Sequence, residues 1–303
     1  MPDQTSKTYP IILSHGIARP DVLVFSLMRK LRLTRYAFFY DRFHYFRLIS
    51  SHLRANGIES YLTSVSFADD LETRAKDLTK EVKRVMQESG KDRFHLIGHS
   101  MGGLDGRKMI VDEGMEPHIA TMTSVGTPHN GTSFADWGLA NGGGSLITFL
   151  KKLIELDGFA DLSTEACRTL NQRLQDREAK NNVVYHTWSS WQENELILLP
   201  FQFSGNIINE YEGKNDGLVA VSSQQWTNKL IAADGTEKTV TQHDFPMRAD
   251  HFNQIGWWHI NMLHGSRWWS RIFHRRKAYE LSIRNLYLDI ARKLQAETVS
   301  SER

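Results

Sequence analysis

The sequence predicts an α/β fold, a mostly parallel central sheet with helices on both faces. Three observations predict it. Short apolar stretches alternate with amphipathic helical ones up to Val125, the pattern of parallel strands joined by crossover helices. One junction reads Gly98-His99-Ser100-Met101-Gly102, a GxSxG turn that carries a serine from strand to helix. Finally, His15-Gly16, Ser100 and Thr127-Pro128 all fall where apolar stretches end. In parallel sheets, ligands bind beyond the carboxyl ends of the strands.

Tyr9–Ser14 (YPIILS) is the first candidate strand. The stretch from Arg19 to Gly57 mixes seven Arg with many aromatics. Its later part has helical apolar spacing at Phe43, Phe46, Leu48, Ile49 and Leu53. It reads as a helix packed on the sheet after a loop; alternatively, Arg29–Phe39 lines a mouth or an interface. Glu59–Phe67 alternates and is rich in β-formers, which predicts a strand. A stripe at Leu71, Ala75, Leu78, Val82 and Met86 predicts a helix to Ser89. Phe94–His99 is the next strand, Met101–Glu113 its helix, and Ile119–Val125 a fourth strand.

From Gly131 to Arg173 the alternation breaks. A glycine run, Asn141-Gly142-Gly143-Gly144, precedes Ser145–Leu156, which reads as a helix with a wide apolar face. Glycines before such a helix suit a mobile lid, and the same face also suits permanent packing on the core. Val183–Trp188 reads as a strand, Val219–Val221 as a short apolar run and Ala232–Thr241 as a polar hairpin. Arg276–Leu294 reads as a closing helix. With no repeat and no clean linker, residues 1–303 form one domain with a cap or lid insertion at about 131–180.

Ser100 is the candidate nucleophile, because the flanking glycines permit a tight turn that lifts it to the positive end of the next helix. A serine hydroxyl needs an imidazole to accept its proton and an acid to orient that imidazole. In a strand-turn-helix setting these follow later in the chain, acid before histidine. Of the 13 histidines, His243 and His251 occupy the late loop where a base belongs. Asp216 stands out as the acid, although its Asn-Asp-Gly context also makes an ordinary turn. Asp234 fits a surface hairpin, and Asp244 and Asp250 sit too close to His251 to reach its outer nitrogen.

Composition excludes other classes. A net charge of +2 gives no reason to expect nucleic acid as a partner. A lone cysteine, Cys167, permits neither an internal disulfide nor a cysteine metal cluster. No stretch approaches eighteen apolar residues. The first ten residues lack a basic segment followed by an apolar run, so an intracellular protein, cytoplasmic or peripheral to a membrane, is expected.

Five blocks, YPIILSHG, HLIGHSMGG, TSVGTPHNG, NDGLVAVSS and ADHFNQ, occur in the order found in bacterial true lipases of the α/β-hydrolase fold. The chain also resembles a related group of lipase-like proteins that includes a mitochondrial triacylglycerol lipase of fungi. It departs from that group at Gly106, which intervenes before Arg107. The resemblance implies Ser100 as nucleophile, Asp216 as acid and His251 as base. It implies an oxyanion hole from the backbone N–H groups of Ile17 and Met101, each donor worth roughly 3–4 kcal/mol in the transition state. Secreted members carry a structural calcium, held partly by an aspartate two residues after the catalytic histidine. Here that position is Asn253, and Glu193–Phe203 offers only Glu193 and Glu195 as further acids, so no bound calcium and no cofactor are expected.

The implied activity is serine ester hydrolysis on triacylglycerol or other acyl esters. A short-chain esterase, an acyltransferase on the same triad and a non-catalytic lipid-binding scaffold are the alternatives. Trp257-Trp258, Trp268-Trp269 and Arg271–Lys277 place aromatics beside cations. That suits contact with a membrane or lipid-droplet surface, and equally suits packing beneath the last helix.

Overall fold

A computed structural model describes residues 8–17, 45–66, 68–141, 156–258 and 269–301, with the side chains of 269–275 and 299–301 left aside. Among them, seven strands form one sheet in the order β2-β1-β3-β4-β5-β7-β6. These are β1 (Ile11–Ser14), β2 (Ser60–Leu62), β3 (Phe94–His99), β4 (Ile119–Val125), β5 (Val184–Ser189), β6 (Lys229–Ile231) and β7 (Glu237–Asp244). Every pairing is parallel except β6 with β7. The helices are α1 (Ile49–Ala55), α2 (Leu71–Ser89), α3 (Met101–Asp112), α4 (Ser133–Asn141), α5 (Thr164–Lys180), α6 (Leu199–Tyr211), α7 (Val221–Gln225) and α8 (Trp269–Ser301).

The period of two in a strand splits its side chains between two cores. Ile12, Phe94, Leu96 and Met122 face a core completed by α2, α3 and α5. Ile11, Leu13, Ile97 and Val125 face a second one, completed by α1 and by Ile283, Leu286, Tyr287, Ile290 and Leu294 of α8. Burial of each such aliphatic side chain contributes roughly 1.5–3 kcal/mol. Helix α2 carries its own stop signals: Asp70 accepts from Thr73 N–H at 2.7 Å, and Gly90 (φ 66°) closes the last turn.

Several sequence expectations meet the structure differently. The alternating run after Leu62 leaves the sheet, because Thr63 N–H and Oγ1–H both donate to the Leu13 carbonyl at 3.1 Å and Val65 N–H donates to His15 Nε2 at 3.2 Å. Those residues fasten the end of β1 instead of extending β2. Helix α1 starts only at Ile49, after Leu48 adopts φ 57°. Helix α5 was not expected, and it packs on α3 and the sheet through Cys167, Leu170 and Leu174. The Ala232–Thr241 hairpin is present as β6 and β7, and β7 also extends the parallel sheet beside β5. Most of the Ser145–Leu156 stretch read as a lid, the Arg29–Phe39 stretch, Trp268 and most of Arg271–Lys277 lie outside the described residues or side chains. Trp257 turns inward, its indole N–H donating to the Tyr45 carbonyl at 3.0 Å.

Histidines are packed inside this sheet without charge. Burial pushes His95 down to about 3 and His186 down to about 4, with nearby cations pushing the same way. Burial also holds His99 and His129 well below the ordinary value. An unfolded chain protonates each near pH 6.5. Their contribution is therefore complete above that pH and is lost as pH falls, by about 1.4 kcal/mol per group per unit. Asp105, pushed up to about 6 by burial, and Asp161, also raised by burial, act in the opposite sense, while His243, pushed down to about 4 chiefly by burial, acts with the other histidines. The thermal midpoint should drop steeply between pH 7 and 5, and His95→Gln should lower the proton uptake on unfolding by about one.

Candidate active site

The serine turn is built by close backbone approach. Ser100 follows β3 with φ 58° and ψ −133° and leads directly into α3, a conformation that costs a non-glycine residue roughly 1–3 kcal/mol. Its N–H donates to the Val125 carbonyl at 2.9 Å, and Gly103 N–H donates to the Ser100 carbonyl at 3.0 Å. A Cβ on Gly98 would lie 2.4 Å from the Gly102 oxygen, and one on Gly102 would lie 2.6 Å from the Ser14 oxygen. One on Gly103 would meet Thr127 Oγ1 at 2.1 Å. The strand end, the turn and the β1 end thus touch main chain to main chain.

The β1 end brings the expected oxyanion segment alongside. A Cβ on Gly16 would lie 2.7 Å from the Ser100 Cβ, which puts the chain entering Ile17 against the serine. That segment is anchored from behind by Arg74, which has no solvent exposure. Arg74 Nη2 donates to the His15 carbonyl at 3.0 Å, and its Nε donates to both Asp105 carboxylate oxygens at 3.1 Å. Its Nη1 donates to the Ser66 carbonyl. Sequence reading did not single out this pair; an Arg on the buried stripe of α2 was the available signal.

On the far side of β3, Asp216 and His251 meet. His251 Nδ1 lies 2.8 Å from Asp216 Oδ2, and His251 N–H donates to the Asp216 carbonyl at 2.9 Å. Asp216 is fully buried, and His251 is 4% exposed. The Asn-Asp-Gly turn is closed by a single bridge between Asn215 and Ala220. Leu218 N–H and Val219 N–H donate to Asp216 Oδ1 at 3.0 and 2.8 Å. Gln254 Nε2 donates to Oδ2 at 2.8 Å. A carboxylate taken out of water needs such donors to stay charged. The imidazole of His99, the residue before the serine, lies 4.5 Å from that of His251, centroid to centroid.

The other candidates are engaged elsewhere. His243 stacks on Trp188 at 4.6 Å and on His186 at 5.7 Å within β7 and β5. Asp234 makes the β6–β7 turn and accepts from Thr236 N–H at 3.0 Å. Asn253 uses both ends of its amide on the histidine loop: Oδ1 accepts from Asp250 N–H at 3.2 Å and Nδ2 donates to the Trp257 carbonyl at 2.8 Å. Among the described residues no group of three or more His, Cys, Asp or Glu is arranged to hold a metal ion. A separate cavity of about 350 Å³, lined by Ser189, Trp191, Lys214, Asp244 and Arg248, contains none of Ser100, Asp216 and His251.

A family model described as palmitoyl protein thioesterase matches residues 10–201, more than half of the chain. The chain belongs to the palmitoyl protein thioesterase family. A triacylglycerol lipase of Vibrio cholerae serotype O1 is 27% identical over 263 residues, covering 76% of this chain and 78% of its own. A triacylglycerol lipase of Pseudarthrobacter phenanthrenivorans is 33% identical over 133 residues, and the match spans only 36% of that protein's length. The Staphylococcus hyicus lipase structure superimposes with TM-score 0.59 at 18% identity, covering 100% of this chain and 98% of the other. The fold is therefore the α/β-hydrolase fold of the lipases, as the sequence blocks implied. No helix among the described residues is long and apolar enough to cross a membrane.

The glycine turn gives a direct test of how tightly the serine is held. Gly103→Ala should cost about 1–3 kcal/mol in urea unfolding, since its methyl collides with Thr127. Thr127→Ala on that background removes two of the three colliding atoms and should recover part of the loss.

Proposed function

We propose that the protein is a serine hydrolase of acyl esters that works through Ser100, His251 and Asp216. The observation that carries the reading is the buried His251–Asp216 hydrogen bond of 2.8 Å, whose imidazole lies 4.5 Å from that of His99, the residue before a serine held at φ 58° on a strand-to-helix turn. Asp216 fixes the imidazole with Nδ1–H toward the carboxylate, leaving Nε2 to act as base. Ser100 Oγ attacks the acyl carbonyl carbon while His251 Nε2 takes the hydroxyl proton. The carbonyl oxygen becomes an oxyanion between the Ile17 and Met101 N–H groups. The tetrahedral species collapses, His251 returns the proton to the leaving alcohol, and an acyl-serine is left. Water then attacks with His251 again as base, releasing the acid and regenerating Ser100. Every step is served by protein groups, and Asn253 brings no charge for a calcium.

The family model is named for a palmitoyl thioester and the relatives for triacylglycerol, so a long-chain acyl group on sulfur or oxygen is the substrate class this reading takes. Hydrolysis of p-nitrophenyl esters from acetyl to palmitoyl, with emulsified triglyceride and a palmitoyl thioester beside them, should show activity rising with chain length. Ser100→Ala should abolish it, and Asp216→Asn should lower kcat by about 10⁴, through the wrong imidazole tautomer. Activity confined to acetyl esters would instead make it a soluble short-chain esterase. Product ester in place of free acid, with an alcohol present, would make it an acyltransferase.

Contact with a lipid surface belongs to the same reading. It is supported by Trp258, whose ring lies 5.4 Å from the Arg276 guanidinium, a pairing of aromatic and cation that suits a membrane interface. The protein should sediment with anionic liposomes at physiological salt, and recovery in the supernatant would remove this part.

A further inference from the structure

Gln254 lies at a crossing of hydrogen bonds beneath the candidate site, and it is fully buried. Its Nε2 donates to Asp216 Oδ2 and to Ser190 Oγ, both at 2.8 Å. An ionised carboxylate only accepts, so the amide orientation is fixed: nitrogen toward Asp216, oxygen toward His99. Oε1 then accepts from His99 Nε2–H at 2.8 Å. A neutral His99 with its proton on Nε2 must accept at Nδ1, and Tyr45 O–H donates there at 2.8 Å. Burial holds that imidazole neutral. The direction of every bond from Tyr45 through His99 and Gln254 to Asp216 follows from one charge.

The backbone makes room for this amide. Gly126, at the end of β4, has φ 57°, and a Cβ there would fall 2.0 Å from Gln254 Oε1. Ser190, just past the end of β5, is oriented in turn: its hydroxyl donates to the Ala249 carbonyl at 2.8 Å and so offers its lone pairs to Gln254. The ends of three neighbouring strands, β3, β4 and β5, therefore converge on one side-chain amide.

We propose that Gln254 is a positioning residue for the acid–base pair, locking the plane of the Asp216 carboxylate against His251 and being itself oriented by His99 and Tyr45. The proposal rests on the Ser100–His251–Asp216 reading. Leu218 and Val219 hold only Oδ1; on Oδ2 Gln254 is the neutral donor beside His251. It has two effects. It stops the carboxylate turning away from the imidazole, and it withdraws negative charge from the oxygen that His251 sees. Without it, Asp216 favours the imidazolium more strongly, so the base protonates at higher pH.

The test compares wild type, Gln254→Leu and Ser100→Ala on a p-nitrophenyl ester across pH 5–9, with active sites counted by a fluorophosphonate probe. Gln254→Leu should lower kcat per titrated site about tenfold or more, the scale of one lost hydrogen bond to a charged group. KM should hold within about twofold, and the acid limb of kcat/KM should move to higher pH. A residue that merely packs the loop would change the number of titrated sites and leave that limb in place. Unchanged kcat and an unchanged limb in a folded Gln254→Leu overturn the proposal while the triad stands. A wild type that neither turns over nor takes the probe, matching Ser100→Ala, removes the triad reading and the proposal with it. Should Gln254→Leu fail to fold, ¹⁵N spectra of histidine-labelled wild type decide, with His99 assigned from its loss in His99→Gln. A non-titrating Nε2–H tautomer of His99 from pH 5 to 9 is expected, and an Nδ1–H tautomer overturns the proposal.

Discussion

The structure depends on one steric constraint, the closeness of main chain to main chain around Ser100. Three segments that are far apart in sequence meet there: the end of β1, the β3–α3 turn, and the Gly126–Thr127 stretch after β4. Glycine at 98, 102 and 103 removes the Cβ atoms that would hold them apart by 2.1 to 2.6 Å contacts. That packing also keeps a serine at φ 58°, because relaxing it would separate segments the sheet holds in register. The strain is offset by surrounding backbone hydrogen bonds, such as Ser100 N–H to the Val125 carbonyl at 2.9 Å. A hydroxyl placed by backbone packing costs little further ordering when a substrate arrives.

The second half of the site solves a different problem, that of a fully buried carboxylate. Asp216 is fully buried, and four donors face its carboxylate: two backbone N–H groups, the His251 imidazole and the Gln254 amide. Charge supplied with donors in this way is worth more inside a protein than in water and costs more if one donor is lost. Arg74 and Asp105 use the same physics on the other flank, where a buried ion pair grips the His15 carbonyl. Both sides of the serine are therefore held by polar groups shut away from solvent. The neutral histidines in the sheet mark the limit of the arrangement, since protonating them would put cations where burial keeps water away, and a cation needs acceptors rather than donors.

Much of this was legible in the sequence, and the failures have physical causes. Strands β3 and β4 and helix α2 have the predicted bounds, because their periods are strong and glycine or a capping Asp marks their ends. Helix α5 was illegible because charge interrupts its inward face: alongside Cys167, Leu170, Leu174 and Ala179, it buries Glu178. Glu178 is tolerable there only because Arg107, 71 residues earlier, meets it with Nε at 2.8 Å and Nη2 at 2.9 Å. No local pattern encodes such a pair. Similarly, the ADHFNQ block drew attention to His251 and Asn253 and gave Gln254 no role. An amide matters here through partners on β3 and beyond β5, which only the sheet brings together. Asp216 itself looked as much like an ordinary turn residue as an acid, and its turn supplies two N–H groups to the carboxylate that lies against His251.

On the proposed reading, the leaving group decides how much of this machinery a given substrate needs. An alkoxide is a poor leaving group and departs only as His251 hands it the serine's proton, which requires the imidazolium that Asp216 stabilises. A thiolate is far less basic, with thiols ionising near pH 8.5, so it departs with less help from the acid step. Attack by Ser100 and charge at the oxyanion segment are common to both. The serine turn and the Arg74-anchored loop thus serve every acyl substrate alike, whereas the Asp216–His251–Gln254 side is demanded most by oxygen esters.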